Sequence, residues 1–105
     1  MKNDLIDNIY KMIDIWNETN YTDPEIVLVC NAKYYTKLVE EYLEKMMHIK
    51  NEYGIRFLNV MGIKVPVVIS EDIKKDVDYI LMFRKDYERL EKERLYSKII
   101  SMFNT

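Results

Sequence analysis

Two side chains in the sequence could act as a nucleophile and its general base, Cys30 and His48. Cys30 ends a short aliphatic run just before a predicted helix, a position where the pKa of a thiol can fall. His48 is the only histidine, and it lies near the far end of that helix. A straight helix rises about 1.5 Å per residue, so more than ~25 Å separates the two side chains. We therefore interpret Cys30 as a small buried apolar residue and predict no catalytic site.

A cluster of acidic residues at Glu71, Asp72, Asp76 and Asp78 is the candidate for a metal site. Calcium loops need alternating oxygen ligands, a glycine at the sharp turn and a closing glutamate, and this segment has neither the spacing nor the glycine. A zinc site needs three or four ligands, and the chain has one histidine and one cysteine. The sequence predicts a solvated loop here, and no metal or cofactor is expected.

The elements that would position these residues follow from the hydrophobic pattern. We predict one domain over residues 1–105, of the α/β (α+β) class, with a four-stranded mixed sheet flanked by three helices in the order α-β-α-β-β-β-α. The predicted elements are a helix with Leu5, Ile9, Met12, Ile13 and Trp16 on one face, a strand Ile26–Val29, a helix capped by Asn31, a strand Ile55–Val60, a turn Met61-Gly62, a strand Ile63–Ile69, a strand Val77–Met82 and a helix Arg84–Phe103.

Several packing expectations come with this assignment. The unbroken aliphatic run of Ile26–Val29 predicts a central strand buried on both faces. Pro66 lacks an N–H, which favours an edge or bulged position for its strand. The final helix is expected to turn Tyr87, Leu90, Leu95, Ile99 and Met102 inward. The residues expected to be mostly buried are Trp16, Val27, Val29, Leu38, Tyr42, Val67, Ile69, Ile80 and Leu90.

Charge and composition bound the class of protein. The net charge is −2; residues 1–25 hold two lysines against six acids, and residues 84–105 hold six bases against four acids. Nucleic-acid binding needs clustered positive charge, so a nucleic-acid partner is not expected. A single cysteine favours a reducing compartment, no signal peptide is recognised, and the aliphatic runs are too short to span a bilayer. We expect a cytoplasmic protein with no membrane partner.

Candidate binding residues are tyrosines and arginines on the helices. Tyr34 and Tyr96 fall outside the apolar stripes of their helices, and tyrosine is enriched at protein interfaces. Arg84, Arg89 and Arg94 on the final helix could contact an acidic partner, because arginine forks suit carboxylates. The alternative is that the tyrosine rings pack at the rim of the core, and that the mixed charges of residues 84–94 form a solvated outer face.

Two stretches in the middle of the chain carry a family resemblance. The stretches are Asp23-Pro24-Glu25-Ile26-Val27 with Asn31, and residues 61–70, in which two residues separate Gly62 from Val65-Pro66-Val67-Val68. They resemble the axial domain of tailed-phage major capsid proteins, a fold shared with encapsulins. Val77–Met82 takes the place of the strand that closes the sheet in that family. The resemblance covers roughly residues 5–83, and the final helix has no counterpart in it.

The resemblance implies a phage- or prophage-type, non-enzymatic protein that acts through protein–protein contacts as a capsid- or assembly-related module. It also implies self-association, because axial domains meet around a symmetry axis. The alternative is a small phage-encoded inhibitor of a host defence system, anti-CRISPR-like or directed at a nuclease, whose acidic surface mimics nucleic acid. A small hydrolase or nucleotide-binding protein is disfavoured because the required motifs are absent.

Overall fold

The helices and strands are described for residues 4–42, 49–50, 56–70, 73 and 76–103 of a computed structural model. The elements are α1 (Asp4–Asn17), β1 (Ile26–Cys30), α2 (Ala32–Tyr42), β2 (Ile49–Lys50), β3 (Arg56–Val60), β4 (Ile63–Ile69), β5 (Tyr79–Phe83) and α3 (Arg84–Phe103). This order confirms the predicted fold class, and the two-residue β2 adds a short strand at one edge. His48, Ile55, Glu71 and Asp72 lie outside the described residues.

The strands form one mixed sheet in the order β2-β3-β4-β1-β5. β1 is parallel to β4, with Leu28 opposite Val67, and antiparallel to β5, with Leu28 opposite Leu81. All five residues of β1 are buried. The prediction of an interior strand covered on both faces is therefore confirmed. β5 begins at Tyr79 rather than Val77, because its pairing ends where β1 ends, at Cys30.

The β3–β4 hairpin closes through the predicted two-residue turn. Met61 and Gly62 both have positive φ, 53° and 81°, and Val60 lies opposite Ile63. A type I′ turn has this geometry, and its twist matches that of the flanking strands. The side-chain oxygen of Asn59 accepts a hydrogen bond of 3.0 Å from the backbone N–H of Gly62, which holds the turn closed.

The expectation that Pro66 marks an edge strand is wrong, because β4 lies between β3 and β1. On the β3 side Pro66 faces Phe57. Hydrogen-bonded and non-hydrogen-bonded pairs alternate from the turn, so this is a pair that needs no N–H from Pro66. On the other side the ladder with β1 starts at Val67. The proline is tolerated in an interior strand because its missing donor falls in a non-hydrogen-bonded pair with β3 and just before the start of the ladder with β1.

The hydrophobic core lies between one face of the sheet and helices α1 and α2. Leu5, Ile9 and Ile13 of α1 and Leu38 of α2 are buried against Leu28, Leu58 and Val65 on the strands. α2 begins as predicted, since the side-chain oxygen of Asn31 accepts a hydrogen bond of 2.7 Å from the N–H of Tyr34. The remaining members of this buried cluster are Ile26, Cys30, Tyr34, Val60 and Val67.

The opposite face of the sheet is covered in part by α3, which packs on β5 and β1. Burial of Val27, Val29, Leu38 and Val67 is confirmed, and Trp16 and Tyr42 are half-buried. The expected burial of Ile69, Ile80 and Leu90 is wrong, since each is more than 40 % exposed. Ile69 ends β4, Ile80 lies on the edge strand and Leu90 lies on a helix that covers the face incompletely. No helix in the described part of the chain is long and apolar enough to cross a bilayer.

Candidate interaction surface

The thiol of Cys30 is fully buried at the end of β1. Burial raises its pKa from 9.0 to about 11, because the thiolate would lose its hydration. The thiol therefore stays protonated at neutral pH, and a protonated thiol is a poor nucleophile. Within the described residues no group of three or more histidine, cysteine, aspartate or glutamate side chains is placed to hold a metal ion.

Tyr34 belongs to the core, so the expectation that it lies outside the apolar stripe of its helix is wrong. Its side chain is 7 % exposed, and its ring centroid lies 5.1 Å from that of Tyr79. Burial is the largest cause that raises the pKa of its hydroxyl. The sequence held a signal for this position, since Tyr34 precedes the buried Leu38 by four residues and therefore shares its face.

The second half of α3 carries the largest group of exposed apolar side chains on one helix of the described chain. We call residues 94–103 the α3 overhang. Its exposed apolar residues run from 40 % exposed at Ile100 to 75 % at Met102, with Tyr96 at 66 %, so Tyr96 is on the surface, where the sequence placed it. The other two are Leu95 and Ile99.

The overhang arises from a mismatch of lengths. A helix of 20 residues is about 30 Å long, whereas the longest strand, β4, with seven residues spans about 23 Å. α3 is therefore longer than any described strand, and Arg94 already lines the same cavity as Ile69 and Ser70 at the end of β4. The expectation that Leu95, Ile99 and Met102 face inward is wrong because these residues follow Arg94. Leu90 is 46 % exposed on the part of α3 that lies over the sheet, so its predicted inward position is also wrong.

Part of the apolar surface of the overhang also points away from the sheet. Tyr87, Glu91 and Arg94 line a cavity together with Val29 and Val68 of the sheet, which defines the inner side of α3. At about 100° per residue, Tyr96 and Ile100 lie roughly 150–170° around the helix axis from the middle of this side, and Ile99 lies on its flank. Leu95 and Met102 lie nearer the inner side and are exposed where the helix extends beyond the sheet.

The three arginines singled out in the sequence are exposed, and each lies next to an acid. Arg84 Nε lies 2.9 Å from Glu88 and its Nη1 lies 3.6 Å from Glu25. Arg89 and Arg94 lie 3.7 Å from acids three residues earlier in α3. Spaced along one helix, the arginines do not converge on a single point. Exposed pairs of this kind stabilise a fold by less than about 1 kcal/mol each.

An open groove of about 700 Å³ runs between the first half of α3 and the β3–β4 hairpin. Its floor is apolar and includes Val27, Phe57, Pro66 and Val68, and Tyr87 forms part of its α3 side. Burial is the largest cause that raises the pKa of Tyr87. This groove is not evident from the sequence, because its walls become adjacent only when the hairpin and α3 lie on the same face of the sheet.

Comparison with known proteins adds no relative. No family model, curated protein or solved structure matches the chain.

The outer side of α1 is the most acidic surface of the described chain. Asp4, Asp7, Asp14 and Glu18 are all exposed, and one base, Lys11, lies among them. The exposed apolar side chain of Ile15, 59 % exposed, lies in the same stretch. This surface and the α3 overhang differ in sign, since the charged residues of 94–103 are Arg94 and Lys98.

Proposed function

We propose that this chain is a non-enzymatic interaction module that binds another protein through the α3 overhang. The observation that carries the proposal is the exposure of Leu95, Tyr96, Ile99 and Ile100 on a helical segment that extends beyond the sheet. Contiguous exposed apolar surface of this kind marks protein-binding sites. A helix that inserts its apolar side chains into a groove of a partner is a recurring mode of recognition.

The positive charge of the overhang indicates what kind of surface the partner presents. Arg94 and Lys98 are the charged residues in 94–103, and both are basic. A partner groove with an apolar floor and acidic rims complements this segment. Tyr96 supports the assignment, because an exposed tyrosine contributes a large amphipathic contact area at interfaces.

The sequence resemblance of residues 5–83 favours a phage or prophage protein, and we propose that this module is capsid- or assembly-related. The module would then use its sheet and first two helices as a scaffold. The α3 overhang, which has no counterpart in the resemblance, would supply the contact specific to this chain. A position of the gene among head genes would support this proposal, and a position in an early or accessory cluster would support the inhibitor alternative.

Site-specific photo-crosslinking tests the proposal directly. A photo-reactive amino acid at Leu95 should trap a partner in the native host, and the same residue at Ile15 serves as the control on the acidic side. With the partner purified, Ile99→Arg should raise its dissociation constant by about tenfold or more, because it places a charge in an apolar contact. Ile15→Arg should leave the dissociation constant unchanged. Equal trapping at both positions, or unchanged affinity of Ile99→Arg, would contradict the proposal.

A second candidate function is favoured by the acidic outer side of α1. An inhibitor of a nuclease-based host defence would present these carboxylates where the enzyme binds phosphates. Neutralising three of them with Asp4→Asn, Asp7→Asn and Asp14→Asn should then abolish binding to the nuclease, while Ile99→Arg should not. The two sets of variants separate the two functions in one binding assay.

A further inference from the structure

β5 is an edge strand with unusual composition. It is last in the sheet order, and in the described part of the chain no strand pairs with its outer side. Its sequence, Tyr-Ile-Leu-Met-Phe, contains no charge, no glycine and no proline. Edge strands of monomeric proteins are usually protected by such residues, because unpaired N–H and C=O groups otherwise accept another strand.

The hydrogen bonds to β1 show which groups of β5 face outward. The N–H of Arg84 donates to the carbonyl of Glu25 at 2.8 Å, and the N–H of Asn31 donates to the carbonyl of Asp78 at 3.3 Å. Residues of an antiparallel strand alternate between the two sides, so the even-numbered residues of β5 bond to β1. The N–H and C=O groups of Tyr79, Leu81 and Phe83 therefore point away from the sheet.

Exposed apolar side chains flank this edge. Ile80 is 42 % exposed and Leu90 is 46 % exposed. Glu88 lines the groove on the hairpin side of α3. Leu90 follows Glu88 by two residues, so the two side chains are separated by about 160° around the helix axis. Leu90 thus lies on the flank of α3 towards β5, on the same face of the sheet as Ile80.

We propose that two copies of this chain associate by antiparallel pairing of their β5 strands, with Leu81 on the two-fold axis. This register places Tyr79 opposite Phe83 of the second copy and Ile80 opposite Met82 of the second copy. In this register the outward-facing N–H and C=O groups of one β5 strand lie opposite those of the other, so about six backbone hydrogen bonds form between the two copies. The product is one continuous sheet across both copies, and a two-fold contact is self-complementary.

Charge selects a second copy as the occupant of this edge. With Leu81 on the axis, Asp78 lies opposite Arg84 of the second copy, and the same pair recurs on the other side of the axis. Both side chains are exposed, and residues in a non-hydrogen-bonded pair have Cα atoms about 4.5 Å apart, close enough for an ion pair. The strand carries at its two ends the opposite charges that antiparallel self-pairing brings together.

The pairing also covers the exposed apolar residues at the edge. Ile80 would contact Met82 of the second copy on the face where Leu90 lies. No residue of the α3 overhang takes part, so this dimer is independent of the partner proposed for the overhang. Loss of partner binding in Ile99→Arg and loss of the dimer are therefore separate results.

Two charge-reversed variants test the register. Asp78→Lys alone places two lysines opposite two arginines, and Arg84→Glu alone places two glutamates opposite two aspartates, so each should raise the dimer dissociation constant by about tenfold or more. An equimolar mixture forms heterodimers with one pair of the original sign and one pair of reversed sign, and these should have nearly the affinity of the unchanged chain. Analytical ultracentrifugation measures all four samples, with circular dichroism as the check on folding.

Amide hydrogen exchange of the unchanged protein gives a second reading that needs no variant. The N–H of Leu81 should be protected at high protein concentration and exposed on dilution, whereas the N–H of Met82, which bonds to β1, should be protected at both. A protein that stays monomeric at millimolar concentration overturns the proposal. Variants that dimerise as well as the unchanged chain, or a mixture of folded variants that fails to dimerise, also overturn it.

Discussion

The side-chain amide of Asn31 donates a hydrogen bond of 3.2 Å to the carbonyl oxygen of Val77. The oxygen of the same side chain caps α2 through the N–H of Tyr34, and the backbone N–H of Asn31 bonds to Asp78. One residue thus ties the start of α2 to the segment that leads into β5. The resemblance drawn from the sequence depends on this asparagine for the helix start alone, and the contact with Val77 is a second role.

The two roles of Asn31 can be separated by substitution. Asn31→Ala removes both the cap and the donor to Val77 and should lower the free energy of unfolding by about 2 kcal/mol. Asn31→Asp keeps an acceptor for the cap and loses the donor, so it should cost about 1 kcal/mol. Urea denaturation measures both values. Equal losses in the two variants would show that the cap contributes nothing measurable.

The burial of Cys30 predicts slow alkylation. With its pKa raised to about 11 and its side chain fully buried, the native thiol should react with iodoacetamide at pH 8 at least about 100-fold more slowly than in the denatured chain. Mass spectrometry of timed samples measures the rate. Comparable alkylation rates in the native and denatured protein would show that Cys30 is a reactive thiol.

The same pKa predicts a loss of stability at alkaline pH. The thiol has its ordinary pKa of 9.0 in the unfolded chain and a pKa of about 11 in the folded protein. The stability that depends on the protonated thiol is therefore complete below pH 9 and declines as pH rises towards 11. A shift of this size corresponds to a change on the order of 2–3 kcal/mol. Cys30→Ala should show a shallower decline between pH 9 and 11 than the unchanged chain, when each is unfolded by urea at a series of pH values.

The turn between β3 and β4 offers a stabilising substitution. Met61 has a φ of 53°, a conformation that asparagine adopts more readily than methionine. Met61→Asn creates the Asn-Gly pair preferred in type I′ turns and should raise the free energy of unfolding by about 0.5 kcal/mol. Gly62→Ala should lower it by about 1 kcal/mol through φ alone, since an added Cβ meets no atom within 4 Å. Thermal unfolding of the Met61→Asn and Gly62→Ala variants measures whether the first is stabilised and the second destabilised.

The arginines of α3 should contribute little to stability. Arg89 and Arg94 each lie 3.7 Å from an acid on the same helix, and all of these side chains are about half exposed or more. Arg89→Ala and Arg94→Ala should therefore each change the free energy of unfolding by well under ~1 kcal/mol. A folded Arg94→Ala variant that also loses its protein partner would place Arg94 in the contact made by the overhang.

Local patterns in the sequence were sufficient to predict the order of the elements. The aliphatic run of β1, the cap at Asn31 and the turn at Met61-Gly62 are each encoded within a few residues, and the structure has all three. The bounds of α3, Arg84–Phe103, were also predicted. These features depend on backbone preferences and hydrophobic period, which a single sequence contains.

The surface could not be predicted in the same way, because it depends on which elements become neighbours. Helical spacing groups Leu95, Ile99 and Met102 on one face, but it does not say whether the sheet is long enough to cover that face. The spacing of Tyr34 from Leu38 indicated a shared face, but the contact of Tyr34 with Tyr79 joins segments far apart in the chain and was not predictable from local spacing. The outer side of β5 became a candidate only after the strand order was known.

The parallel pairing of β1 with β4 has a consequence during synthesis. Leu28 lies opposite Val67, so about 39 further residues must be made before the first neighbour of β1 exists, and its other neighbour, β5, comes later still. At about 5–20 residues per second, the run Ile26–Cys30 leaves the ribosome several seconds before it can be covered. We expect such an exposed apolar segment to bind ribosome-associated chaperones, and slower translation should increase aggregation of the chain in cells that lack them.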